Sequence, residues 1–230
     1  MWNCDEGRTA SGSHVNIARF TSIIFDFDYT LADSSRGVAE CINFALAELN
    51  LPQVPVEAAH RTIGLHLDEA FVQLAGERHA AHKDAFRRHF ARRADQVMND
   101  LTTLFGTVPG TVRRLKGEGK SLAIVSTKFR FRIVEFLQRE NLLDDFDVII
   151  GGEDVFCHKP HPEGLYQAAG RLNCRLNETL YVGDSVVDAE AAQRAGIAFA
   201  AVLSGMTRRE EFDAYPLVAV MENLGQLGVA

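Results

Sequence analysis

The strongest constraint on this chain is a series of short apolar runs, each followed by a helical pattern. Thr21 to Phe27 (TSIIFDF) is β-branched, aromatic and apolar. Ser121 to Ser126 (SLAIVS), Asp147 to Ile150 (DVII), Thr179 to Val182 (TLYV) and Ala198 to Leu203 (AFAAVL) follow the same pattern, and Leu217 to Val220 offers an edge strand. Runs without polar alternation are what parallel strands buried on both faces require. Helical stretches separate them. Pro109-Gly110 opens one that carries Val112 and Leu115 and stops at Gly117 and Gly119. Phe131 to Arg139 carries Ile133, Val134, Phe136 and Leu137. Pro162 stands in a first helical turn ahead of Leu165, Ala168, Ala169 and Leu172, and an alanine-rich helix from Asp188 ends at Gly196. Alternating β and α units predict an α/β fold: a doubly wound parallel sheet with right-handed crossovers and helices on both faces.

One stretch breaks that rhythm. About ninety residues lie between the first and second runs without a clear strand. Asp33, Ser34 and Ser35 offer N-caps to a helix carrying Val38, Ile42, Ala45, Leu46 and Leu49. Pro52 and Pro55 interrupt, and Leu67 to Leu74 and Arg78 to Met98 read as further helices. A βαβ crossover does not need so many residues. The expectation is an inserted α-helical cap over residues 33–105, with the catalytic core formed by 20–32 and 106–230 and a disordered arm at 1–19.

Composition narrows the function. Hydrophobic residues make up 47% and charged residues 24%, which is globular and neither disordered nor collagen-like. With 24 basic and 31 acidic residues the net charge is −7, which argues against nucleic acid or an anionic membrane as partner. No apolar run reaches the roughly 20 residues of a membrane span, and the N-terminus lacks the apolar stretch of a secretory signal. Cys4, Cys41, Cys157 and Cys174 form no CxxC pair, so they read as thiols of a reducing cytoplasm.

In an open parallel sheet the strands' carboxyl ends converge on one crevice. After the first run stands Asp26-Phe27-Asp28-Tyr29-Thr30; after the second, Ser126-Thr127-Lys128. A loop after the third leads to His158-Lys159-Pro160, and the fourth ends in Gly183-Asp184-Ser185 with Asp188 one helical turn on. Asp26 and Asp28 are two apart and share a face, and Asp184 arrives from another strand. Three close carboxylates repel unless a hard cation sits among them, which implies Mg²⁺. Lys159, the Ser126 hydroxyl and the backbone N–H groups of Tyr29 and Thr30 add donors. That set describes a phosphoryl-transfer site. Taken singly, an aspartate at a strand end is a turn or cap residue and a Lys-Pro is a loop. Four such motifs in order, each ending its own strand, are not explained that way.

These motifs resemble those of the haloacid dehalogenase superfamily, in its phosphoglycolate-phosphatase-like branch. The matching segments are DFDYTL (26–31), VSTK (125–128), HKPHPEG (158–164) and VGDSVVDAEAAQRAG (182–196). The resemblance implies strand order 5-4-1-2-3 and an Mg²⁺-dependent phosphatase acting on a small organic phosphate monoester through an aspartyl phosphate. It implies that Asp26 is the nucleophile, and that Asp28 is the general acid and then base, lending its carbonyl to the metal. Asp184 becomes a metal ligand, completing a metal set of Asp26, Asp28 and Asp184. Asp188 orients a metal water or Lys159. Ser126, Thr127, Tyr29, Thr30 and Lys159 form the phosphate-binding set. Tyr29 departs from the pattern, since the family usually has glycine there. In the cap, Arg61, Thr62, Gly64 and His66 lie on the segment that in the family reaches the substrate.

Other readings are weaker. Metal-free dehalogenation has no use for Asp28, Asp184 and Asp188. A phosphonate hydrolase needs a cap lysine, and Lys83 sits in a charged helix. A receiver-type phosphoacceptor module has neither the insertion nor the paired aspartates. A sugar-phosphate mutase or other phosphotransferase of the same superfamily is the runner-up. The basic stretch Arg78 to Arg93 reads as one solvated helix face.

Overall fold

The structure is a computed structural model that describes residues 15–228. The elements in chain order are β1 (Ser22–Phe25), β2 (Ala32–Asp33), α1 (Ser35–Glu48), α2 (Val56–His60), α3 (Leu67–Ala75), α4 (Lys83–Val97), β3 (Thr103–Leu104), α5 (Val108–Gly117), β4 (Ser121–Val125), α6 (Arg130–Arg139), β5 (Val148–Ile150), α7 (Glu163–Leu172), β6 (Thr179–Gly183), α8 (Val186–Ala195), β7 (Ala198–Val202) and β8 (Ala219–Met221). They form two compact units, one from Ala32 to Leu104 and the other from the remainder.

The larger unit is built on a six-stranded sheet in the order β5-β4-β1-β6-β7-β8. Every pairing in it is parallel. With β8 set aside as the edge strand, the order reads 5-4-1-2-3 in the numbering of the apolar runs, as the resemblance implies. β1 lies in the middle, with Ile23 opposite Leu122 on one side and Leu180 on the other. Ile23, Ile24 and Phe25 are fully buried, which explains the lack of polar alternation in this run. Ile24, Ala123, Ile150, Tyr181 and Phe199 meet Leu165 and Ala168 of α7 and Ala189 and Ala192 of α8 in one apolar cluster. Gly196 ends α8 in a left-handed conformation, φ 70°.

The smaller unit is helical around Phe71, Phe86, Phe90, Ile42, Leu46 and Met98. The Phe71 and Phe86 rings stack at 4.6 Å. Two features differ from expectation. β2 and β3 pair antiparallel, Ala32 with Leu104 and Asp33 with Thr103. Strands of two residues carry no periodicity, so the sequence could not announce them. The expected single helix from Arg78 to Met98 is a 3₁₀ segment, Glu77–His82, followed by α4. Three arginines of α4 pair within this unit: Arg87 with Asp68, Arg92 with Glu48 and Arg93 with Glu40.

Most of the expected arm, with Cys4, lies outside the described residues. From Val15 onward the chain is part of the larger unit. The Val15 N–H donates to the Gln226 carbonyl at 2.9 Å, and Val15 forms a parallel bridge with Leu227. Ile17 is fully buried, so this apolar side chain anchors the end of the segment expected as an arm, next to the buried Phe20 of the core.

Candidate active site

The crevice at the carboxyl end of the sheet collects the motif residues. Asp26 follows β1 directly, and its N–H continues the ladder by donating to the Val182 carbonyl at 2.9 Å. The chain then turns tightly. The Phe27 carbonyl accepts from the N–H groups of Thr30 (3.3 Å) and Leu31 (2.9 Å). The turn puts Tyr29 at φ 60°, a left-handed conformation that glycine adopts freely and tyrosine does not. Here the Ser204 hydroxyl, from the loop after β7, donates to the Tyr29 carbonyl. Tyr29 itself is 7% exposed.

Lys159 is the hub. Its Nζ donates to Asp26 Oδ1 at 2.9 Å, to Asp188 Oδ1 at 2.6 Å and to the Tyr181 hydroxyl at 3.1 Å. Tyr181 in turn donates to Asp188 Oδ1 at 2.7 Å. The other oxygen of Asp188 accepts from the Ser185 hydroxyl (2.6 Å) and N–H (3.2 Å), a capping box that starts α8. Both Asp188 oxygens are therefore engaged, and the residue is fully buried. Burial pushes Lys159 down, but the pull of Asp188 and Asp26 outweighs it and holds the ammonium well above its usual range.

Asp28 has a different partner. Its Oδ1 accepts from Lys128 Nζ at 2.9 Å, and both side chains are under a tenth exposed. Lys128 stands in the Ser126-Thr127-Lys128 motif, which by itself gives this lysine no role. In the structure the carboxylates whose oxygens lie within 4.8 Å of one another are those of Asp26, Asp184 and Asp188. The Asp28 carboxylate pairs with Lys128, and the group it is expected to lend the metal is its carbonyl. Thr30 Oγ1 donates to Asp184 Oδ1 at 3.4 Å. Ser126 is buried at the end of β4, and its Oγ accepts the Lys128 N–H at 3.3 Å. Thr127 follows it on the same loop.

Four buried or nearly buried carboxylates thus face two lysines, which with every carboxylate ionised would leave an excess of two negative charges. Burial raises Asp26 to about 7, against the opposing pull of Lys159 and with the repulsion of Asp188 and Asp28 added. Burial, then Asp188 and Asp26, raises Asp184 well above the carboxylate range. A buried excess of charge is costly unless compensated. The donor set is oxygen only and compact, which fits a hard divalent cation such as Mg²⁺.

In the smaller unit, Arg61 is exposed at the end of α2, while Thr62 is buried with its hydroxyl donating to the Ala59 carbonyl at 2.7 Å. Gly64 turns at φ 94°, and His66 caps α3, its Nδ1 accepting from the Asp68 N–H at 3.4 Å.

The model of the haloacid dehalogenase-like hydrolase family matches residues 23–202, a span that includes all four motifs. The chain belongs to this family. Phosphoglycolate phosphatase of Yersinia pseudotuberculosis is 34% identical over 190 residues, covering 79% of this chain and 80% of its own. That of Pectobacterium atrosepticum is 36% identical over 178 residues, 76% of each chain. A haloacid dehalogenase-like hydrolase of Bacteroides fragilis superposes with a TM-score of 0.87 at 46% identity, covering 90% of this chain and 99% of that one. This haloacid dehalogenase-like hydrolase is of the phosphoglycolate-phosphatase-like branch, a phosphoric monoester hydrolase.

Sequence reasoning gave Lys128 no role and missed Tyr181 and Gly205. Tyr181 reads as a core aromatic in a strand. Gly205 carries no signal until Asp184 is placed: a Cβ there would lie 1.8 Å from Asp184 Oδ2 and 2.7 Å from its Cγ. Gly205→Ala is therefore expected to displace the Asp184 carboxylate while the fold persists. If Asp184 holds Mg²⁺, the Mg²⁺ concentration giving half-maximal turnover should rise by roughly 10–100-fold, the usual cost of disturbing a ligand's support. An unchanged Mg²⁺ titration would show that this backbone approach does not position Asp184.

Proposed function

We propose that this chain hydrolyses a small organic phosphate monoester in a Mg²⁺-dependent reaction through an aspartyl phosphate on Asp26. One observation carries the reading. Two aspartates two residues apart have different lysines, Asp26 with Lys159 and Asp28 with Lys128, as two carboxylates with two roles need. Asp26 Oδ attacks phosphorus, the bond from phosphorus to the ester oxygen breaks, and Asp28 gives that oxygen its proton. Water then attacks the aspartyl phosphate, Asp28 takes its proton, and phosphate leaves with Asp26 restored. Lys159 balances charge on Asp26 and the phosphoryl group. The Ser126 hydroxyl and the N–H groups of Thr127 and Tyr29 hold its oxygens, while Thr30, expected among them, gives its N–H to the Phe27 carbonyl and braces Asp184 through Oγ1. Asp26, Asp184 and the Asp28 carbonyl would hold the metal, and Asp188 fixes Lys159. Mg²⁺, when bound, neutralises charge on the phosphoryl oxygens.

Phosphoglycolate is the first ester to test, because the relatives are phosphoglycolate phosphatases. We assign recognition of the leaving group to residues 61–66 of the cap, with Arg61 and His66 as the contacting side chains and Gly64 as the turn. Thr62 then braces the turn. We assign the enzyme to the cytoplasm, where small phosphate esters are its substrates. No helix among the described residues is long and apolar enough to cross a membrane. The test is a screen of phosphate esters with Mg²⁺, repeated on Arg61→Ala and His66→Ala. The two variants are expected to re-rank esters by kcat/KM and to spare a small generic ester. No turnover of any ester would overturn the phosphatase reading, and equal losses on all esters would remove the cap residues from recognition.

A further inference from the structure

The Lys128–Asp28 pair has a feature that charge balance alone does not require: Lys128 is aimed. Its N–H donates to Ser126 Oγ at 3.3 Å, and its carbonyl accepts from the Gly152 N–H at 3.0 Å. Gly152 permits this approach, since a Cβ there would lie 2.4 Å from the Thr127 carbonyl oxygen. The lysine's Nζ lies 5.5 Å from the centroid of the Phe27 ring. Backbone anchors on both sides and a ring beneath its ammonium direct that ammonium at Asp28 Oδ1, across 100 residues of sequence. Removing it would leave a nearly buried carboxylate next to the excess negative charge and free to turn toward the cation site.

We propose that Lys128 is the positioning residue of the general acid. It holds Asp28 away from the cluster of Asp26, Asp184 and Asp188, so that one carboxylate is kept for phosphorus and the other for the proton. The role rests on the reading of Asp28 as acid. The Asp28 proton passes to the departing ester oxygen, whose bond to phosphorus breaks as the bond from Asp26 forms. Lys128 itself neither gains nor loses a proton in the step.

A general acid matters in proportion to how badly the leaving group needs a proton. The test is therefore kcat/KM of the Mg²⁺-loaded enzyme on a series running from activated aryl phosphates to alkyl phosphates. Lys128→Met is expected to lose at least about a hundredfold on alkyl phosphates and less than about threefold on the most activated aryl ester, within the range general acids contribute. Lys128→Arg keeps a charged donor and is expected to restore much of the alkyl activity. Lys128→Gln serves in the same series if the methionine variant does not fold. Asp28→Asn is measured alongside. If it is steep while the Lys128 variants lose equally on every ester, or lose nothing, Asp28 stays the acid and Lys128 is only scaffold. If Asp28→Asn itself is insensitive to the leaving group, the acid reading falls and the positioning role with it.

Discussion

Asp26→Asn is expected to lower kcat by at least about a thousandfold, a barrier increase of roughly 4 kcal/mol. The amide keeps the shape but cannot displace an alcohol from phosphorus. The fold should survive, because Lys159 keeps Asp188 and Tyr181 as partners. Stability should if anything improve at pH 8 without metal. The native carboxylate is raised to about 7, so ionising it in place is unfavourable, and the variant avoids that cost. Two measurements decide the matter: steady-state turnover, and acid-quench trapping of phosphoenzyme from labelled substrate. Retention of more than about a tenth of the activity, under roughly 1.4 kcal/mol in the barrier, would sink the covalent mechanism.

Removing the metal should have the second large effect, and it should depend on pH. Asp26 rises from 3.8 in the unfolded chain to about 7 in the fold. Between those values the folded state holds a proton that the unfolded state has released. Stability of the metal-free protein therefore falls as pH rises from about 4 to about 7, by up to roughly 4 kcal/mol. Asp184, raised in the same direction, adds to the fall. Asp147, Glu163 and Glu211 are lowered, so their contributions change mainly at or below the ordinary carboxylate range. Mg²⁺ at about a hundred times its dissociation constant should restore roughly 3 kcal/mol at pH 8, or about 5–10 °C in Tm, and far less at pH 5. Chelation should abolish turnover and Mg²⁺ should return it. Full activity in excess chelator, or an equal Tm shift at both pH values, would contradict a cation held by these carboxylates.

Much of this was legible from the chain alone. The parallel strands were readable because burial on both faces leaves no polar alternation, as at Ser22–Phe25 and Thr179–Gly183. The crevice was readable because strand ends in a parallel sheet converge, so order along the chain predicts meeting in space. The Ser185 to Asp188 capping box was also there to be read, as Ser-x-x-Asp ahead of an alanine-rich helix. Short or local irregularities were not. β2 and β3 are too brief to show a period, and the 3₁₀ segment Glu77–His82 lies inside a continuous helical pattern. The fold of Val15 to Phe20 depends on Gln226 and Leu227, more than 200 residues away.

Which residue types the site contains, and at which strand ends, was thus set by the sequence. Which charge faces which was decided by tertiary structure. Asp26 and Asp28 are equivalent as letters, and only packing gives Lys159 to one and Lys128 to the other. The left-handed turn at Tyr29 and the close approach of Gly205 to Asp184 are likewise properties of the assembled loops. The physical reason is range. Periodicity and capping act over a few residues of one chain segment. A buried charge is settled by whatever counter-charge the fold brings within hydrogen-bond distance, and here that partner lies 100 to 133 residues away.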